Sequence, residues 1–331
     1  MMQQVYGWMN FHSRLNAFCA RWGKYNCRKN GSYHSLQIKM SFSYRDETKE
    51  LNDETRKSAG GLFIRLSDGI THYEISNPDN ENTVVLVHGF SVPYFIFDPT
   101  FEFLSQSGFR VLRYDLFGRG FSDRPRTRYN IDLFDKQLTD LLDVLRISRP
   151  VNLIGLSMGG VIASTFTARR PEQVQSLTLI DPVGVKPVGI SPMLTVTKIP
   201  FVAEAVLGLM GSERLVRDGA KDIFDPALVK QFEAQYAIQM QYKGYIRAIL
   251  STIRNGMLDS FVNTYRRVGE MNKPVLLFWG CNDRTVPFEY SDILRAAIPN
   301  MEFHAIEDCG HIPHYEKPDE INPTLLGFLR K

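Results

Sequence analysis

Ser157 stands two residues after Gly155 and two before Gly159, inside the stretch VNLIGLSMGGVIAS that runs from Val151 to Ser164. Branched apolar residues precede the serine, and small and apolar residues follow it. The pattern is that of a buried strand turning into a helix. In so tight a turn the middle residue takes strained backbone geometry, and its neighbours at −2 and +2 must be small. The strain is expected to lift the hydroxyl off the sheet edge into solvent. It also sets the Met158 N–H at the helix start, where unpaired N–H groups and the dipole favour an anion. A nucleophile with half an oxyanion hole is the chemistry on offer.

A nucleophilic serine needs a base, an orienting acid and a second oxyanion donor. His311, in EDCGHIPHYEKPDE, follows the last apolar strand-like run on a loop opened by Gly310. Asp283 follows the run PVLLFWG and lies between serine and histidine in the chain. A carboxylate there would hold the histidine tautomer and stabilise the imidazolium. The order Ser157, Asp283, His311 suits a strand–turn–helix nucleophile. The loop after residues 83–89 contains HGF, which nominates the Phe90 N–H as second donor.

Other residues read as supports. Asp181, in LIDP, is a rival acid, with a structural turn as its plainer reading. His88 is expected to hydrogen-bond beneath the oxyanion loop, and His314 and Glu316 to fix the loop carrying His311. Cys281 and Cys309 are expected to be buried free thiols. Phe90, Tyr94, Phe95 and Phe97 are candidates for an acyl pocket, half of them equally suited to the core. No metal-ligand cluster or dinucleotide fingerprint appears, so no cofactor is implied.

These residues need a rigid frame, and the chain alternates accordingly. Strands are expected in a hairpin over 62–76, turning at Ser67-Asp68-Gly69, and over 83–89, 109–116, 150–157, 176–182, 274–280 and 302–307. Helices are expected over 98–108, 131–147, from Ser157 to about Arg170, and over 290–299. The run TVVLVHG is too apolar for a one-sided strand. The expected fold is α/β, a mostly parallel, doubly wound sheet of about eight strands. From 185 to 270 no strand is expected. Helices such as 202–210 and 226–253 fill the gap, read as a cap inserted between strands six and seven. The core then comprises 60–184 and 271–331.

The totals set the outer limits. The chain has 331 residues, 44% hydrophobic and 23% charged, which leaves no case for disorder or collagen-like repeats. No run of 18 apolar residues exists to span a membrane. Residues 1–45 carry seven basic residues and no acid, and the rest is net acidic, so nucleic acid is not an expected partner. In that leader Val5, Trp8, Phe11, Leu15, Phe18 and Trp22 recur at helical spacing. It is read as a loosely ordered extension, or as a start placed upstream of Met40. The alternative is a presequence, or a helix touching a membrane surface through residues 1–28. Four cysteines make no disulfide framework, so a cytoplasmic, reducing compartment is expected, or a mitochondrial or membrane-associated one if the leader is a true presequence.

Taken in order, VHGF, DLFGRGFSDRP, GLSMGG, WGCNDRTVP and GHIPHYEKP resemble the motifs of α/β-hydrolase-fold serine hydrolases, in their capped esterase and lipase branch, across residues 60–331. The resemblance implies Ser157 as nucleophile, His311 as acid and base, Asp283 as orienter, and the Phe90 and Met158 N–H groups as oxyanion donors. It makes Asp115, Gly118 and Gly120 parts of a structural turn. Family members with an aspartate nucleophile, the epoxide hydrolases and haloalkane dehalogenases, are excluded by Ser157. Carbon–carbon hydrolases of meta-cleavage products are similar in SMGG, but many carry tryptophan after the histidine and proline in DxPGxGxS. Here Ile312 and Phe117 stand at those positions. Cofactor-free haloperoxidases and perhydrolases share the triad and stand as a minor option. The expectation is a carboxylesterase or monoacylglycerol-lipase-like enzyme acting on a hydrophobic ester. A carbon–carbon hydrolase and a catalytically silent binding module are the alternatives.

Overall fold

The computed structural model describes residues 44, 46–187, 204, 217, 219–221 and 223–331. Residues 1–43 and 45 of the basic leader, with the helix considered there as an alternative, and all of the helix expected at 202–210 except residue 204 lie outside the described residues. No described helix is long and apolar enough to cross a membrane.

Eight strands form one sheet in the order β1-β2-β4-β3-β5-β6-β7-β8. They are β1 (Leu62–Arg65), β2 (Ile70–Ser76), β3 (Thr83–Val87), β4 (Arg110–Tyr114), β5 (Val151–Leu156), β6 (Val174–Ile180), β7 (Val275–Gly280) and β8 (Glu302–Ile306). β1 pairs antiparallel with β2 and β2 with β4, as a hairpin leading into the sheet requires. All the other pairings are parallel. The expected fold class is what forms; most strands are shorter at their ends than the apolar runs suggest, while β6 keeps the expected length and lies two residues earlier.

The run TVVLV of β3 is buried along its whole length. Val84 and Leu86 face Phe101 and Leu104 of α2 (Asp98–Gln106) and Leu325 of α10 (Pro318–Leu329). Val85 and Val87 join the opposite core with Leu138 of α3 (Ile131–Val144) and Val161 of α4 (Met158–Arg169). Each such side chain contributes about 1.5–3 kcal/mol by leaving water, which is why a central strand reads as unbroken β-branched sequence. Connections leave β3 toward β4 on one side while β5 lies on the other. That reversal opens a crevice at the strands' carboxyl ends, where a ligand site belongs in such sheets.

Between β6 and β7 the described residues contain helices and no strand: α5 (Pro226–Met240), α6 (Tyr245–Arg254) and α7 (Val262–Gly269). The helical run expected over 226–253 is thus two helices. Gly244, at φ 93°, breaks it. A carboxylate from the far end of the chain secures the break. Glu47 accepts the Gly244 and Ile246 N–H groups, both at 2.7 Å, so the start of α6 is capped from outside. The remaining described helices are α1 (Asp53–Lys57), α8 (Tyr290–Ala297) and α9 (Pro313–Glu316).

Candidate active site

Ser157 occupies the turn from β5 into α4 with φ 52° and ψ −117°. A residue other than glycine adopts such a conformation only under constraint. The constraint is close backbone packing. A Cβ on Gly159 would lie 2.0 Å from the Val87 carbonyl oxygen, and one on Gly155 would lie 2.5 Å from that of Gly159. The Ser157 N–H is held by the Ile180 carbonyl at 2.9 Å. Its hydroxyl does not cap α4, although the residue sits at the N-cap position. The sequence points to a hydroxyl in open solvent. Instead Ser157 is 5% exposed and faces a cavity. The enclosure comes from residues distant in the chain, among them Phe232 of α5.

Asp283 and His311 come together as expected. His311 Nδ1 lies 2.7 Å from Asp283 Oδ2. The other carboxylate oxygen, Oδ1, accepts the Thr285 and Val286 N–H groups at 2.7 and 2.8 Å, so the acid is fixed before it meets the imidazole. Trp279, fully buried, ties the same loop down by donating Nε1–H to the Val286 carbonyl at 3.1 Å. The two loops touch directly. The Asn282 N–H bonds the Cys309 carbonyl at 2.9 Å, and a Cβ on Gly280 would meet the Gly310 oxygen at 2.0 Å. With Nδ1 directed at Asp283, the ring's other nitrogen, Nε2, is the one placed to exchange a proton.

The two residues nominated as oxyanion donors, Phe90 and Met158, both lie at the serine, one in the cavity wall and one directly after it in the chain. Met158 is fully buried and opens α4, where a helix offers its first N–H groups no acceptor of its own. Gly89 presses on the serine, where an added Cβ would lie 3.3 Å from the Ser157 Cβ, and Phe90 follows it into the cavity wall. His88 is fully buried, and burial pulls its imidazole down to about 4. Neutral, it donates Nδ1–H to the Gly89 carbonyl and accepts the Leu116 N–H at Nε2, both at 2.9 Å. That is the support beneath the loop that the sequence suggests.

Arg119 is the residue that sequence reasoning missed. It is fully buried between Gly118 and Gly120 and donates Nε–H to the Phe90 carbonyl at 2.7 Å. The turn around it is structural, as the motif implies. Asp115 accepts from His72 Nδ1, the Phe121 N–H and the Tyr94 N–H at 2.7, 2.9 and 3.0 Å. A Cβ on Gly120 would collide with that carboxylate at 1.9 Å. The one local signal for Arg119 was a charged residue between two obligatory glycines.

The cavity at Ser157 and His311 measures about 110 Å³ and is walled by Phe90, Ile96, Leu156, Phe232 and Ile312. Of the four aromatics considered for it, Phe90 alone lines it. Phe97 is core, Tyr94 stacks on His72 with ring centres 4.8 Å apart, and Phe95 packs on Phe232. Glu316 fixes the histidine loop by accepting the Gly310 N–H at 3.1 Å. His314 makes no hydrogen bond to that loop. It is buried against Phe97, with ring centres 4.6 Å apart. Cys309 is a buried free thiol as expected, whereas Cys281 is only half-buried. Asp181 takes the turn after β6 and also lies beside the site: a carboxyl oxygen of it, one of Asp283 and a ring nitrogen of His311 fall within 4.8 Å of one another.

Residues 82–318 match the model of a family described as alpha/beta hydrolase fold. A 2-hydroxy-6-oxononadienedioate/2-hydroxy-6-oxononatrienedioate hydrolase from Pseudomonas putida is 30% identical over 283 residues, covering 81% of this chain and 95% of the relative. The enol-lactonase of Burkholderia xenovorans superposes with a TM-score of 0.68 at 20% identity, over 82% of this chain and all of that one. A meta-cleavage product hydrolase from Pseudomonas fluorescens gives 0.66 at 23% identity, over 82% and 97%. At those identities the two solved structures are likenesses of fold.

Proposed function

This chain belongs to the α/β-hydrolase-fold family, and from that premise we propose that it is a serine-dependent hydrolase that cuts a carbon–carbon bond beside a conjugated ketone. The observation that carries the choice of bond is the identity of 30%, along 95% of the relative's length, with a 2-hydroxy-6-oxo dienedioate hydrolase. It reverses the order of the sequence-based expectation, in which ester hydrolysis stands first.

The chemistry follows from the site. His311, oriented by Asp283, takes the Ser157 proton at Nε2 while the serine oxygen adds to the ketone carbon. The N–H groups of Phe90 and Met158 hold the oxyanion. The substrate's dienol first tautomerises, its hydroxyl proton moving to the carbon beside the ketone, so that the tetrahedral adduct collapses with the bonding pair passing into the conjugated 2-oxo enone as a dienolate. His311 returns its proton to the dienolate oxygen. Water, deprotonated by His311, then releases the acyl group from Ser157 as a carboxylic acid. The sum is one water added, with no change of oxidation state. Residues 185–270 we read as a cap over the site, a reading supported by Phe232 in the cavity wall.

A second reading, hydrolysis of an ester with a hydrophobic acyl group, is favoured by the wall itself. The described residues lining the cavity include no lysine or arginine, whereas a dienedioate brings two carboxylates. One experiment separates the two. The purified chain is given a 2-hydroxy-6-oxo dienoate and a series of p-nitrophenyl esters, and kcat/KM is compared. Preference for the dienoate by about 100-fold or more, some 2.7 kcal/mol of transition-state discrimination, is the expected result. Preference for esters establishes the second reading. Turnover of neither, with Ser157 unlabelled by a fluorophosphonate, leaves a silent binding module.

A further inference from the structure

Asp181 is a buried carboxyl with half its hydrogen bonding unmet. It is 0% exposed and sits at φ 40°, a conformation that L residues rarely take. Oδ1 accepts the Gly280 N–H at 2.9 Å. Oδ2 is buried with no hydrogen-bond partner. Across from it, Asp283 accepts two backbone N–H groups at Oδ1 and His311 at Oδ2, which leaves lone-pair capacity there for a further donor.

The other titratable groups around Asp181 are Glu316 and the thiols of Cys281 and Cys309, so His311 is the basic group of the cluster. Two ionised carboxylates so close and so dry would repel, and at Asp181 the hydrogen bond from the Gly280 N–H opposes this. Burial first, then the Asp283 charge, pushes the Asp181 carboxyl well above the usual carboxylate range.

We propose that Asp181 is a neutral carboxylic acid that donates its proton to Asp283, a positioning residue acting on His311 through the triad acid. The proposal rests on the reading of Ser157, His311 and Asp283 as the working triad. The donated proton fills the orphan at Oδ2 and withdraws charge from Asp283. It thereby lowers the proton affinity of the imidazole. Asp181 is not a second catalytic acid.

The test compares Asp181→Leu with Asp181→Asn. Asparagine reproduces the neutral acid, since its oxygen can accept from Gly280 and its NH2 can donate to Asp283. Leucine can do neither. Loss of the donor in D181L raises the acid limb of the kcat/KM–pH profile by about half to one unit, the worth of one buried hydrogen bond. D181N brings the limb back to its wild-type position. Infrared spectra of the wild type contain a protonated-carboxyl band that D181N lacks, a readout that needs no turnover and no folded D181L. Loss of activity in D181N by about 1,000-fold or more would show a charged Asp181 acting as triad acid and overturn the proposal. So would a wild-type spectrum with no protonated carboxyl assignable to Asp181. If the wild type neither turns over substrate nor labels at Ser157, the proposed function fails, while the infrared band still decides the state of Asp181.

Discussion

Arg119 grips the carbonyl oxygen of Phe90 through Nε at 2.7 Å, and the same guanidinium donates to the Phe117 carbonyl at 3.1 Å and the Thr252 hydroxyl at 2.9 Å. The proposed oxyanion donor is the N–H of the same residue, one peptide unit before the gripped carbonyl. Burial pulls the guanidinium down to about 10, which still leaves it charged at neutral pH. Arg119→Met keeps the bulk and removes the grip, so kcat is expected to fall by about 10-fold or more while KM changes little, because the donor serves the transition state. Arg119→Lys keeps the charge without the fork and is expected to behave like Met. A proportionate rise in KM in both variants would mean that Arg119 serves substrate binding instead.

Asp283→Asn tests the acid. Asparagine can still accept from Thr285 and Val286, but it offers His311 a donor or a weaker acceptor and releases the tautomer that carries its proton on Nδ1. A loss of kcat of about 10,000-fold is expected, with fluorophosphonate labelling of Ser157 slowed in parallel. An Asp283→Asn enzyme within about 10-fold of wild type would remove Asp283 from the mechanism.

His88 and His314 govern acid stability. Burial, the largest cause for both, pulls them down to about 4 and about 3, so each is neutral in the folded chain. Unfolded, a histidine titrates near 6.5. Below that pH the unfolded chain binds protons that the folded chain refuses. The stabilisation is therefore complete above about 6.5 and drains away as pH falls toward 4. For His88 alone the window spans about 2.5 units, or about 3 kcal/mol. Denaturant melts of wild type and His88→Gln, taken from pH 7 to 4, should converge as pH falls, because glutamine has no proton to bind. A constant gap across that range would mean that His88 is not held neutral.

Glu316 joins two segments that lie far apart in sequence. Its carboxylate accepts the Phe224 and Asp225 N–H groups at 2.6 and 3.1 Å, and the Gly310 N–H at 3.1 Å beside His311. Glu316→Gln turns one acceptor into a donor facing N–H groups. A loss of about 1–3 kcal/mol is expected. Amide exchange should quicken together at 223–225 and 309–312. Faster exchange at one segment alone would show that the two are held separately.

The nucleophile turn was legible because backbone packing admits no substitute. Gly155 and Gly159 are glycines since a Cβ at either would overlap a neighbouring peptide. β3 was legible for a related reason, as both of its faces must be apolar. Features that arise from residues far apart were not. Ser157 is enclosed by Phe232, on a helix that begins some seventy residues later, so its exposure could not be read locally. The break at Gly244 depends on Glu47, 197 residues away. Asp181 read as a plain turn because its carboxyl meets Asp283 only once β6 and β7 lie side by side.

Glu47 gives the protein a mechanical thread. Through Gly244 and Ile246 it holds α6, and Lys49 stitches the same place with main-chain bonds to Gln241 and Lys243 at 2.8 and 2.9 Å. α6 carries Thr252, Thr252 receives Arg119, and Arg119 grips Phe90. Tension or trimming applied near residue 47 therefore reaches the oxyanion loop by three successive grips joined through α6. A chain shortened beyond Glu50 would retain Ser157, Asp283 and His311, yet its carbonyl cradle would hang from a helix with its end untied.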